Sequence, residues 1–328
     1  VTTPVRWGFL GAGMIATNAL GPAVHAAAGA TLQAVAARDV DRAWSLGPVS
    51  AYDDYDALLA DDAVDAVYIS LTNDQHLPWS VAALRAGKAV LCEKPLALTA
   101  AEVDQLIAVS AETGRLLVEA SWYRWHPRVR LAQQRLAEIG QVRHVAAGFT
   151  FDGSLAGNYR LDPARGGGAL YDVGCYAVSA CLWAVGEGLP AEVTARSAYG
   201  PTGVDLTTEA ILEWPSGAQA EVRAGIEGSE GQWLVLTGER GEIELRDAPY
   251  TSWKDDASEL WVSNGTGTER VQVAATDPYQ LMVEEMSSVL RGGSGWVLPL
   301  AESRDTAATL DAIRRAAATD KAVVPSSA

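Results

Sequence analysis

Two sets of residues in this 328-residue chain have the types and spacing to do chemistry. The first is Gly11-Ala12-Gly13-Met14-Ile15-Ala16, directly after the apolar run Arg6–Leu10. Glycines at this spacing permit a tight turn and let backbone N–H groups approach a pyrophosphate at a helix N-terminus. Such a pattern arises by chance in many chains. Its specificity comes from order: strand, glycines, helix and second strand follow one another as the mechanism requires. The second strand ends Val35-Ala36-Ala37-Arg38-Asp39. Ala37 stands where an NAD enzyme usually presents an acid to the ribose, and a cation follows it. Arg38 can grip a 2′-phosphate through its planar fork, which favours NADP(H) over NAD(H). The alternative leaves Arg38 a solvated charge and has Asp39 hold an NAD ribose.

The second set is Lys94 with Asp172 and Tyr176. Lys94 lies in Glu93-Lys94-Pro95 at the carboxyl end of a predicted strand, where open α/β sheets bind ligands, and this raises it above a surface lysine paired with Glu93. Its ammonium can orient a hydroxyl or polarise a carbonyl while a hydride moves. Tyr176 follows Asp172 by four residues, so on a helix both face one side. Against these stand a helix cap for Asp172 and a half-buried helix aromatic for Tyr176. Leu71, Thr72, Asn73 and His76 follow another strand end and are expected to line the cofactor passage, with His76 as an ordinary helix-start residue in the alternative. Trp122, Tyr123, Arg124 and Trp125 offer an apolar wall with a cation for a sugar ring, or plain core. Asn158, Tyr159 and Arg160 lie in a loop before Gly166-Gly167-Gly168 whose polar residues suit a solvated hairpin.

The elements that must position these groups are legible from periodicity. Strands are predicted near 5–10, 32–37, 65–71, 88–92 and 116–119, with helices at 16–28, 53–60, 77–86 and 100–113 between them. This alternation predicts a parallel sheet with crossover helices, a Rossmann dinucleotide-binding domain over 1–122. After Trp122 the runs 142–152, 191–200, 206–214, 218–227, 232–237, 242–246 and 259–263 alternate or are rich in aromatic residues. They predict an α+β domain over 123–302 with a large open, mostly antiparallel sheet, interrupted by helices at 127–139 and 170–185. Helical periodicity returns at 279–291 and 303–319, and the last helix, within 303–328, is expected to dock on the first domain.

Composition sets outer bounds. The formal net charge of −16 disfavours nucleic-acid and anionic-membrane partners, and an anionic cofactor must rely on local N–H groups and a few placed cations. Cys92, Cys175 and Cys181 form no paired framework and no metal-ligand spacing, so no metal is expected and a reduced, cytoplasmic compartment is. The opening residues show no charged leader, and no apolar stretch of transmembrane length is expected.

The segments Asn73–His76, Glu93-Lys94-Pro95, Tyr123-Arg124-Trp125-His126-Pro127, Tyr159–Pro163 and Asp172-Val173-Gly174-Cys175-Tyr176 together resemble the glucose-fructose oxidoreductase/inositol dehydrogenase family over nearly the whole chain. The resemblance implies that Lys94 lies beside the nicotinamide and the reacting carbon, that the Lys94-Pro95 bond is cis, that the loop 157–168 with Asn158, Tyr159 and Arg160 nears cofactor and substrate, and that Tyr176 donates or accepts the proton. Many members carry histidine at that position. Tyrosine points to the branches acting on aldoses, dihydrodiols or nucleotide-linked ketosugars, and nearest to NADP-dependent xylose 1-dehydrogenases and dihydrodiol dehydrogenases. The expected activity is therefore hydride transfer between NADP(H) and a sugar carbon, with a nucleotide-linked ketosugar reductase as the second reading. A non-catalytic NADP-binding regulator and redox-neutral use of a held cofactor are further readings. A homodimer or homotetramer formed through the C-terminal sheet is expected.

Overall fold

Short strands with no polar alternation must be covered on both faces. In the computed structural model, which describes residues 3–153, 157–246 and 249–327, six such strands make one parallel sheet. They are β1 (Val5–Leu10), β2 (Ala30–Ala36), β3 (Ser50–Tyr52), β4 (Ala66–Ile69), β5 (Ala89–Cys92) and β6 (Leu117–Glu119), in the order β3-β2-β1-β4-β5-β6. The crossovers carry α1 (Gly21–Ala26), α2 (Val40–Trp44), α3 (Tyr55–Leu59), α4 (His76–Arg85) and α5 (Ala100–Thr113). Chain order reverses between β1 and β4, which creates the crevice where doubly wound sheets bind ligands. Trp7, Phe9 and Leu10 of β1 are fully buried, and Trp7 Nε1 donates to Ser287 Oγ at 3.1 Å. Two elements escaped the sequence reading: α2 and β3 are five and three residues long, too short to show a period.

The second sheet collects β7 (Val142–Thr150), β8 (Glu192–Tyr199), β9 (Asp205–Glu213), β10 (Gln219–Gly225), β11 (Gly231–Gly238), β12 (Gly241–Glu244), β13 (Ser258–Asn264) and β14 (Gly267–Val273). Its order is β14-β13-β12-β11-β7-β10-β9-β8, and every pairing is antiparallel except β7 with β10. The edge strand β14 was not predicted, because its exposed Thr268, Glu269 and Arg270 show no apolar alternation. One face of this sheet is covered by α6 (Pro127–Ile139) and α7 (Cys175–Val185). The helical run 163–185 is long and apolar enough to match a bilayer, contrary to the sequence expectation, but its apolar window is 89% buried inside the protein. It is a core helix.

Contacts divide the chain into two units. Val1–Ala97, Ala101–Trp122 and Asp277–Leu300 form the first, so α8 (Pro278–Leu290) belongs with the parallel sheet. Leu98–Ala100, Tyr123–Thr276 and Ala301–Ala328 form the second. The last helix, α9 (Leu300–Thr319), therefore groups with the second unit, whereas the sequence predicts docking on the first. Asp311 accepts from Ala100 N at 2.9 Å, and Val193 of β8 exchanges two backbone hydrogen bonds of 2.9 Å with Val323. An amphipathic helix carries no information in its own sequence about which surface it covers.

Two expectations follow from this packing. A Cβ at Gly8 would sit 2.9 Å from both Leu58 Cδ2 and Val64 Cγ1, so Gly8→Ala should overpack β1 against α3 and cost about 1–3 kcal/mol in denaturant unfolding. His126 caps α6 by accepting from Arg128 N at Nδ1, 3.1 Å away, which requires a neutral ring. Burial, reinforced by the Arg128 charge, pushes its pKa from 6.5 down to about 4. The unfolded chain then takes up a proton that the native state refuses, so stability should fall as pH drops from about 6.5 to about 4, by on the order of 3 kcal/mol. Stability curves for the wild type and His126→Asn over this range check the effect, with the variant expected to lose that segment of the pH dependence.

Candidate active site

At the crevice of the first unit, β1 ends in a turn whose shape is dictated by β4. Gly11 has φ +96°, and a Cβ there would lie 2.5 Å from the carbonyl oxygen of Ser70. Any side chain would force the two strand ends apart. Gly13 differs, because a Cβ on it would come no nearer than 3.6 Å to a protein atom, Ser70 Oγ. The protein's own packing does not require glycine at 13. Open space beside a backbone followed by the helical residues Met14 and Ile15, with Met14 60% exposed, fits the pyrophosphate of a dinucleotide. Ala37 is buried and Arg38 exposed at the end of β2. Asp39 caps α2, its Oδ1 accepting from Asp41 N at 3.1 Å and Arg42 N at 3.4 Å. That engagement weighs against a ribose-holding role for Asp39.

Sequence reasoning passed over Arg42. Its Nη2 donates to the carbonyl of Ala12 at 2.5 Å, in the middle of the glycine turn. A second guanidinium thus reaches the turn from the strand end that carries Arg38. The cue was present in the spacing Arg38–Arg42, one helical turn, but the shortness of α2 concealed it.

The ends of β4 and β5 are tied together by buried groups. His76 was expected near the cofactor passage, yet it is wholly buried. Its Nδ1 lies 2.8 Å from Pro95 O and its Nε2 3.3 Å from Leu71 O. Burial lowers its pKa, so the neutral ring can donate to one of these carbonyls, and its role is to hold two loops in register. Asn73 is also buried, and Thr72 Oγ1 donates to Asp74 Oδ1 at 2.6 Å. Glu93 was expected to touch cofactor. It is instead enclosed, accepting from Tyr68 OH at 2.7 Å and from the backbone N–H of Lys94 at 3.3 Å. Burial raises its pKa against the opposing pull of Lys94 and Tyr68. Lys94 itself is half-buried above this carboxyl group, and the Lys94-Pro95 bond is cis.

In the second unit, Asp172 lies in a π-helical run, Leu170–Gly174, that becomes α7 just before Tyr176. A spacing of four keeps both side chains within about 40° of one face with either helical period. Both are buried. Arg160 Nε donates to Asp172 Oδ2 at 2.5 Å, and its guanidinium lies 5.0 Å from the Tyr159 ring and 5.6 Å from that of Phe151. Burial works against the Arg160 charge, yet Asp172 and Tyr159 outweigh it and raise its pKa, with Tyr176 acting in the same direction. Tyr176 packs between the rings of Phe149 at 5.8 Å and Tyr123 at 5.7 Å. Asn158 supports this group from the loop, its Oδ1 accepting from Arg160 N at 3.1 Å. Asp172, Tyr176, Tyr159 and Arg160 are thus brought together.

The expected sugar wall is not assembled. Trp122 is buried and stacks on Tyr279 at 4.8 Å. Tyr123 is fully buried, donating to Ser179 Oγ at 2.8 Å and accepting from Trp183 Nε1 at 3.1 Å, and Trp125 is fully buried as well. Arg124 is 3% exposed and pairs with Glu302 at 2.6 Å. Trp122, Tyr123 and Trp125 serve as core, and Arg124 is held by its carboxylate partner. Among the described residues no cluster of metal-ligating side chains occurs.

In the first unit a glycine turn suited to a dinucleotide follows β1 and a lysine follows β5; in the second a carboxylate and a phenol share one helical run, with a guanidinium from the preceding loop on the carboxylate. Residues 5–121 match the oxidoreductase family with NAD-binding Rossmann fold, GFO/IDH/MocA, and residues 129–244 match the GFO/IDH/MocA C-terminal domain. The chain belongs to this family. It is 36% identical to D-xylose 1-dehydrogenase (NADP(+)) 2 of Haloferax volcanii, over 97% of this chain and 99% of that one. It is 31% identical to trans-1,2-dihydrobenzene-1,2-diol dehydrogenase of Bos taurus, over 95% and 96% of the two chains. The crystal structure of KijD10, a 3-ketoreductase from Actinomadura kijaniata in complex with NADP and TDP-benzene, superposes with a TM-score of 0.89 at 30% identity, covering 96% of this chain and 98% of that one.

The loop before the helix gives a direct test of positioning. A Cβ at Gly167 would lie 2.5 Å from Arg160 O and 2.8 Å from Asp162 O. Gly167→Ala should therefore displace the Arg160 backbone and lower kcat about tenfold or more, while cofactor affinity, measured by fluorescence titration, stays at the wild-type value.

Proposed function

We propose that this protein transfers a hydride between NADP(H) and a hydroxyl- or carbonyl-bearing carbon of a neutral sugar, as an aldose dehydrogenase does. The observation that carries the proposal is the buried Arg160–Asp172 pair beside Tyr176 in a surround of Phe149, Phe151 and Tyr159. Aromatic faces and a self-neutralised ion pair suit a ring that is apolar on one side, uncharged overall and rich in hydroxyls. A bound nicotinamide supplies the hydride chemistry, and the protein supplies position and charge. Gly13 and the N-terminal end of the following helix would hold the pyrophosphate, and Arg38 with Arg42 the 2′-phosphate. Lys94 orients the reacting oxygen, and Tyr176 takes the hydroxyl proton during oxidation and returns it during reduction. Asp172, fixed by Arg160, accepts a hydrogen bond from a neighbouring substrate hydroxyl. Self-association as a homodimer or homotetramer through the second sheet belongs to the same proposal and would be seen by sedimentation equilibrium.

The likeness to a solved ketoreductase with a nucleotide analogue favours one second reading, reduction of a nucleotide-linked ketosugar. Free aldoses with NADP are compared with a nucleotide-linked ketosugar with NADPH by nicotinamide absorbance. Turnover of aldoses is expected, and turnover of the nucleotide sugar alone would sink the aldose reading. Lys94→Ala and Tyr176→Phe should each lower kcat by about 100-fold or more, whereas Arg38→Ala should weaken NADP binding and leave NAD binding within about twofold. Full turnover in Lys94→Ala would point instead to a non-catalytic NADP-binding role.

A further inference from the structure

The segment that carries Asp172 and Tyr176 begins at three glycines, and short glycine-rich loops do not hold a helix start in place unaided. A group from the neighbouring sheet does so here. The Oδ2 of Asp205, the first residue of β9, accepts from the backbone N–H of Leu170 at 2.8 Å and from Thr208 Oγ1 at 2.8 Å. Thr208 Oγ1 is in turn 2.7 Å from Ser197 Oγ on β8. The other carboxylate oxygen fills the space beside Gly168, where a Cβ would stand only 2.1 Å from Asp205 Oδ1 and φ is +115°. Gly168 is also bonded on both sides: its N–H donates to Arg160 O at 2.9 Å, and its carbonyl accepts from Asp172 N at 3.1 Å. Beneath the segment, Ala169 and Val173 pack with Ala224 and Ile226 of the sheet side.

We infer that Asp205 is a positioning residue for catalysis, fixing the helix start from which Asp172 and Tyr176 project. The inference rests on the proposed role of Tyr176. The connection is short and rigid: one carboxylate oxygen holds Leu170 N, two residues before Asp172, and the same turn carries the Arg160 backbone that aims the guanidinium at Asp172. A carboxylate is suited to this because a charge-assisted bond to a backbone N–H is stronger than a neutral one. Burial raises the pKa of Asp205, opposed by the bonds from Thr208 and Leu170 and by the charge of Arg314. Each of these bonds joins residues of the second unit, whereas the glycine turn belongs to the first, so cofactor affinity and positioning of the acid/base segment should separate.

Asp205→Ala removes the acceptor, and Asp205→Asn keeps an amide oxygen that can still accept from Leu170 N. In Asp205→Ala, kcat should fall about tenfold or more with the Kd for NADPH, from fluorescence titration, within about twofold of wild type. Asp205→Asn should restore kcat to within about threefold of wild type. Hydrogen exchange read on peptides covering 168–176 should quicken about tenfold or more in Asp205→Ala and stay near wild type in Asp205→Asn. The inference is overturned if Asp205→Ala keeps wild-type kcat and protection, if Asp205→Asn falls as far as Asp205→Ala in both measurements, or if NADPH affinity falls in proportion to kcat. Absence of turnover by the wild type with either aldoses or a nucleotide-linked ketosugar would defeat the reading of Tyr176 and with it a catalytic purpose for Asp205, while the exchange data would still report the anchor.

Discussion

The first unit depends on one close approach: the carbonyl oxygen of Ser70, just after β4, lies only 2.5 Å from where a Cβ on Gly11 would be. Parallel strands β1 and β4 meet there because the sheet reverses its order between them. Strand ends that diverge in this way leave a crevice, and a residue without a side chain lets the chain turn across it. The open space at Gly13, the clasp of Arg42 on Ala12 and the buried ties of His76 and Glu93 all follow from that geometry. Each supports a backbone turn and leaves the ligand-facing side to N–H groups and cations, which an acidic protein needs if it is to hold an anionic cofactor.

Polar groups of the second unit are governed by a different constraint, desolvation. Asp172 and Tyr176 are buried in aromatic surroundings, where an unpaired charge would be costly. Arg160 answers this by pairing with Asp172, so that neither charge is buried alone. The same logic explains why Arg124 turns to Glu302, and why buried Arg128 is aimed at the carbonyls of Arg246, Glu259 and Pro249. A buried cation surrounded by backbone acceptors orders the loops that supply them.

Much of this was legible in the chain. The parallel and antiparallel sheets, the glycine turn, Lys94 at a strand end and the shared face of Asp172 and Tyr176 each follow from a period or a spacing. What the periodicity could not show were elements too short to repeat their period, α2 and β3, and the polar edge strand β14. The aromatic stretch 122–125 misled in another way: its residue types suit a sugar wall and a core equally, and only its neighbours, Tyr279, Ser179, Trp183 and Glu302, distinguish the two.

The sequence by itself determined which residues carry chemistry, because tight turns, helix faces and strand ends are local properties written in spacing. Tertiary structure decided which of those residues are spent on structure. His76, Glu93 and Arg124 are consumed by partners 19, 25 and 178 positions away, and Arg160 becomes a partner of Asp172 across 12. It also decided that the final helix covers the second unit. Hydrogen bonding and burial are settled by groups distant in the chain, and no local pattern encodes their arrival.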